Sequence, residues 1–137
     1  MEVTLTIPGQ PVAKGRPRMT RTGRTYTPAK TRQYEAAVKA LALHDIGAVL
    51  FDGPLEVHVM ASFRIPKSWP KSRQEAAWEG RLQHIGRPDG DNVAKAVLDA
   101  LEGVLFENDS QICRLRVDKL YSTAPCVTVI VKQLEDV

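Results

Sequence analysis

The 137-residue sequence has no apolar run near the roughly 20 residues that a membrane-spanning helix needs. Its opening, MEVTLTIPG, has an acidic second residue and alternates like a strand, which argues against a signal peptide. Only two cysteines occur, Cys113 and Cys126, and their spacing fits no metal finger. A cytoplasmic setting with free thiols and no membrane partner is the resulting expectation. There is no glycine-rich phosphate loop, no Ser/His/Asp grouping, no internal repeat and no linker that would split the chain. An EF-hand fails because Val93 and Ala94 stand where that loop needs an oxygen ligand and a glycine. What remains is 43% hydrophobic and 26% charged, the composition of an ordinary globular protein. Its length suits one domain, 1–137, small enough to gain from dimerisation.

One further absence is local. Between Gln10 and Gln33 there is no Asp or Glu, while Lys14, Arg16, Arg18, Arg21, Arg24, Lys30 and Arg32 all fall there. A net charge of +3 says little by itself. Its concentration in one stretch says more, because like charges in a loop repel unless something anionic lies against them. Gly15, Pro17 and Gly23 favour an extended loop or ribbon over a helix. Arginine's planar fork matches phosphate oxygens, so this arm reads as a nucleic-acid contact. A solvated basic loop is the plainer alternative, and the arm alone does not separate DNA from RNA or a membrane surface.

Around the arm the periodicities define elements. Val3, Leu5 and Ile7 alternate as a first strand ended by Pro8-Gly9. Thr27-Pro28 reads as an N-cap and first turn of a helix that runs to about Gly47, with Tyr34, Ala37, Val38, Leu41 and Ala42 facing the core. Residues 54–65 form the clearest strand, with His58 on its solvent side. Ser72 and Glu75 fit a capping box for a short helix, with Trp69 and Trp78 as packing aromatics. Residues 112–121 and 126–134 predict two closing strands in an antiparallel hairpin, the second the more central. The fold class is α+β, a small mixed sheet with helices packed against it.

The chemistry concentrates in residues 87–111, RPDGDNVAKAVLDALEGVLFENDSQ. Asp89 and Asp91 sit on a turn that opens a helix whose buried stripe is Val93, Val97, Leu101 and Val104. Asp91, Lys95 and Asp99 form a second line on that helix. Either early aspartate could simply cap the helix, and Asp99 could be structural. Three carboxylates, Asp89, Asp91 and Asp109, suit a hard ion such as Mg2+ with substrate phosphate, Mn2+ being a plausible substitute. Lys95 would then stabilise negative charge developing on a scissile phosphate, or else only pair with Asp91 or Asp99. His84 is a further possible metal ligand or phosphate contact, and Lys119 a possible contact to bound nucleic acid.

This run resembles the core of the RusA family of Holliday-junction resolvases, often phage- or prophage-encoded. The PD-x-DN-x-x-K…DAL…D-x-Q spacing carries the likeness, and PVAKGRPRMTRTGRTYTP, the Tyr-Glu helix and the closing strands extend it over nearly the whole chain. The resemblance implies a homodimeric, magnesium-dependent endonuclease that resolves four-way DNA junctions by paired nicks in recombination and repair. It implies Asp89, Asp91 and Asp109 as catalytic aspartates and Lys95 as the essential lysine. The family often has two adjacent acids before the final strands, whereas this chain has Asn108-Asp109. Two other readings stay open: a non-catalytic junction- or single-strand-binding protein of a phage replication module, and a metal nuclease acting on flaps, R-loops or RNA.

Overall fold

The computed structural model of the chain describes residues 1–15 and 18–135. Strands β1 (Glu2–Pro8), β4 (Leu55–Arg64), β5 (Ile112–Ser122) and β6 (Cys126–Gln133) form one mixed sheet in the order β1-β6-β4-β5. Two-residue strands β2 (Arg18–Met19) and β3 (Thr25–Tyr26) make a separate ribbon. Helices α1 (Ala29–Asp45) and α3 (Gly90–Leu101) pack on one face of the sheet, and α2 (Lys71–Trp78) lies against β5. The α+β expectation holds.

Alternation along β4 decides which face is covered. Leu55, Val57, Val59, Ala61 and Phe63 are buried, as are Val127, Val129 and Val131 of β6 and Leu5 and Ile7 of β1. Helix α3 answers them with Val93, Ala94, Val97, Leu98 and Leu101, all buried. From α1, Val38 and Ala42 reach the core, while Ala37, expected to do so, is exposed. At 3.6 residues per turn Ala37 lies too far round from the Val38–Ala42 stripe to share it.

Three local expectations need correction. Pro28, not Thr27, occupies the N-cap of α1, because the helix begins one residue later. Ser72 does not cap α2, which starts at Lys71 after Pro70; the Gln74 side chain instead donates to the carbonyls of Lys67 and Trp69. The closing strands are not a hairpin. β4 lies between them, parallel to β5 and antiparallel to β6. The link 123–125 therefore passes one strand, a lateral step of about 10 Å that so short a segment can span. Burial supplies the reason: β6 is apolar enough to sit between β1 and β4, whereas Arg114, Leu115 and Arg116 leave β5 exposed as the sheet edge.

The parallel pairing makes β4, α3 and β5 a crossover unit. α3 starts beside the carboxyl ends of β4 and β5 and returns to their amino ends, so the two ends of α3 face opposite poles of the sheet. A Cβ on Gly90 would lie 3.3 Å from Val117 Cγ1, so the first turn of α3 sits directly on β5.

Candidate active site

Asp89 holds the N-cap position of α3, yet its side chain makes no cap hydrogen bond. Asp91, in the first turn, is exposed and has no ion pair among the described residues. Both carboxylates are therefore unspent, at the helix end whose dipole favours anions. The turn before them is held from β5. Lys119 Nζ donates to the carbonyls of Gly86 (2.7 Å) and Pro88 (3.0 Å). Lys119, considered above as a nucleic-acid contact, is thus a clamp on the aspartate turn.

His84 anchors the same loop by packing. Its ring stacks on Phe63 at 3.8 Å and lies tilted 5.2 Å from Tyr121. Burial, with the nearby Lys119 charge, pushes its pKa below the usual histidine value. Its Nδ1 is buried and unpartnered among the described residues. An aromatic anchor accounts for His84 without metal ligation.

At the opposite pole, α3 ends in a turn where the Gly103 N–H donates to Phe106 O, and Gly103 has a φ of 86°. A 3-10 turn, Asp109–Gln111, follows. Asn108 accepts from the Ser110 N–H, while the Gln111 amide oxygen accepts from the N–H groups of Glu107 and Asn108. The Gln111 Nε2 donates to Phe51 O and Gly53 O. Asn108 is thus a capping residue that leaves Asp109 exposed. In the sequence Gln111 stands out only as part of the D-x-Q spacing, although Asn-x-x-Gln is also a readable capping box.

Asp109 does not join Asp89 and Asp91 within one chain. Carboxylate oxygens of Asp109, Asp99 and Glu102 lie within 4.8 Å of one another. Asp99 and Glu102 follow Asp91 by two to three turns, roughly 12 to 17 Å along the axis at 1.5 Å per residue. Three aspartates on one short element was the expectation; the helix between them holds its ends apart. Glu102 was not singled out in the sequence, since nothing local marks it.

Between the poles lies a lysine pair. Lys95 Nζ stands 3.7 Å from Asp99, its expected i,i+4 partner, and is otherwise exposed. Lys14 Nζ contacts Asp99 at 3.0 Å and also hydrogen-bonds Glu35. Burial alone would lower the Lys14 pKa, but the bonds to Glu35 and Asp99 outweigh it and hold the value above normal. The Lys14 N–H also donates to Asn92 O at 2.9 Å. Lys14 thus docks the basic arm on α3 and is not a free phosphate contact.

Beyond Lys14, Gly15 N–H donates to the buried hydroxyl of Thr31, and a Cβ on Gly15 would come within 2.7 Å of that oxygen. The ribbon then turns at Thr20–Arg24, with Gly23 at a φ of 84°. Arg18, Arg21, Arg24, Lys30 and Arg32 are exposed and form no ion pair among the described residues. Arg16 lies outside the described residues.

An α+β domain with exposed, unspent carboxylates at the head of a helix, and a basic ribbon docked on that helix, has the equipment of a nucleic-acid-processing protein. The chain belongs to the RusA family: the profile described as Endodeoxyribonuclease RusA matches residues 8–132. It is also 34% identical over 137 residues to the Bacillus subtilis (strain 168) protein called "Uncharacterized protein YqaN", covering 96% of each chain. Membership in an endodeoxyribonuclease family supports a nuclease, and no helix among the described residues is long and apolar enough to cross a membrane.

Proposed function

We propose that the chain is a magnesium-dependent, structure-selective endonuclease that resolves four-way DNA junctions by paired symmetric nicks. The observation that carries this reading is Asp89 at an N-cap position without capping: a carboxylate kept for the helix would bond the first-turn amides. The donor set fits the ion, since Asp89, Asp91 and Asp109 offer only carboxylate oxygens, which hard divalent ions prefer. When bound, the ion would supply an activated water and neutralise phosphate charge. Lys95, exposed on the same line as Asp91, turns toward the scissile phosphate, while Lys14 keeps Asp99 neutralised beneath it.

The separation of Asp109 from Asp89 and Asp91 favours a homodimer. Two copies related by a two-fold axis, with α3 helices side by side and antiparallel, bring Asp89 and Asp91 of one copy to Asp109 of the other. Asp89 and Asp91 of one copy with Asp109 of the other would then hold an ion, and the dimer would present two equivalent sites to a near-two-fold junction. The same separation, taken without a dimer, is what a non-catalytic junction-binding protein would also show.

Incubation of a labelled synthetic four-way junction with Mg2+, with Mn2+ and with EDTA separates the two. A linear duplex of the same sequence is the control. Symmetric nicks on the junction alone, lost in EDTA, support the resolvase. Tight junction binding with no cut under any condition removes it.

A further inference from the structure

At the pole of the sheet that carries the aspartate turn lies a feature the nicking chemistry does not use. The carboxyl ends of β4 and β5, at Arg64 and Ser122, and the first two turns of α2 enclose an open groove of about 720 Å³. Trp78 forms one wall and is 66% exposed. Arg64, Lys67 and Lys71 line the groove with one acid, Glu75. None of the three cations has a carboxylate partner among the described residues.

The frame around the groove is fixed. Gln74 Nε2 ties α2 to the preceding loop through Lys67 O (3.3 Å) and Trp69 O (2.7 Å). Trp69 is already engaged, with the Arg73 guanidinium 4.3 Å over its ring and Tyr121 edge-on at 5.3 Å. Trp78 has no such partner among the described residues. An indole held open by a rigid helix among unpaired cations is costly to leave in water and well placed to stack against a flat, anionic ligand.

We propose that this groove receives an unstacked nucleobase of single-stranded DNA, with Trp78 as the stacking surface and Arg64, Lys67 and Lys71 on the flanking phosphates. Net positive lining matches a phosphodiester backbone, and an aromatic face accepts any base, so the contact is sequence-tolerant. The groove opens at the same pole as Asp89, because His84, in the loop leading to that aspartate, stacks on Phe63, one residue before Arg64. The inference rests on the endonuclease reading, which supplies the unpaired bases where strands exchange.

Tryptophan fluorescence of the full chain, titrated in EDTA with short oligothymidylate, tests it. Stacking quenches Trp78 saturably; in Trp78→Phe, where only Trp69 emits, the quench is largely lost. Trp78→Ala weakens oligothymidylate binding about tenfold, while Trp78→Phe stays within a few-fold. Lys67→Gln with Lys71→Gln, both exposed and harmless to the core, lowers the salt dependence. Oligothymidylate binding with unchanged Trp78 emission overturns the proposal, even if junction cleavage is intact. Emission that shifts with protein concentration alone assigns the groove to a second copy and overturns it too. If neither oligothymidylate nor a four-way junction binds in a gel shift, the endonuclease reading falls and takes this site with it.

Discussion

At the scale of single residues, two aspartates of the same type separate by what surrounds them. Asp99 is held by Lys14 and Lys95, so its charge is committed to the fold. Asp91, two turns earlier on the same line, is exposed and unpaired among the described residues. Asp91→Asn should therefore abolish junction cleavage while binding and thermal stability stay close to wild type. Cleavage at the wild-type rate in a gel assay would remove Asp91 from the site. Sequence spacing placed both residues on one helical line correctly. It could not show which was occupied, because Lys14 comes from a segment remote in the chain.

His84 gives a pH signature. Its folded pKa lies below the unfolded value, so the unfolded chain binds the extra proton first and stability is lost as pH falls through about 6.5 toward the lowered folded value. Above that window the neutral ring costs nothing. His84→Phe keeps the stack on Phe63 and should flatten the acid limb of a melting-temperature profile measured between pH 7 and pH 5. An unchanged limb would assign the acid loss to other groups.

At the scale of elements, the basic arm divides into a docked root and an exposed ribbon. Lys14 and Gly15 bind α3 and α1, while Arg18, Arg21 and Arg24 project from the turn. Arg18→Ala with Arg24→Ala should weaken junction binding and reduce the log–log salt slope by about 2, near 0.9 for each phosphate contact. A slope unchanged in a gel-shift titration would make the ribbon a solvated loop. The Gly/Pro punctuation made the extended form legible from sequence. That Lys14 differs from its neighbours was not, since all seven cations look alike in an acid-free run.

The strands show the same boundary between what is local and what is not. Alternation in β4 and the apolar run of β6 told which residues face the core and that β6 is central. Pairing partners are set by tertiary packing, and the expected hairpin failed because β4 inserted between β5 and β6. Of the α3 stripe, Val93, Val97 and Leu101 are buried as their spacing implies, while Val104 is buried just past the end of the helix.

At the scale of the molecule, the distance between the two ends of α3 makes dimerisation a chemical requirement on the proposed reading. Mixing Asp91→Asn with Asp109→Asn protein tests it. In a mixed dimer with ions held between protomers, one site retains both native aspartates, so single-strand nicking returns although each variant alone is inactive. With sites inside each chain, both remain broken and no nick appears. Equilibrium sedimentation that finds only monomer at micromolar concentration, with and without junction, would contradict the same reading.

The sheet order also bears on how the chain is made. Among the described strands β6 comes latest in the chain, yet it stands between the first strand and β4. Until it leaves the ribosome, β1 has no partner and β4 lacks one neighbour, so apolar residues of both wait exposed. At cellular elongation speeds that wait is on the order of ten seconds, long compared with the folding of a domain this small. Apolar residues of β1 and β4 are therefore open to holding chaperones until β6 emerges, and the sheet closes only then.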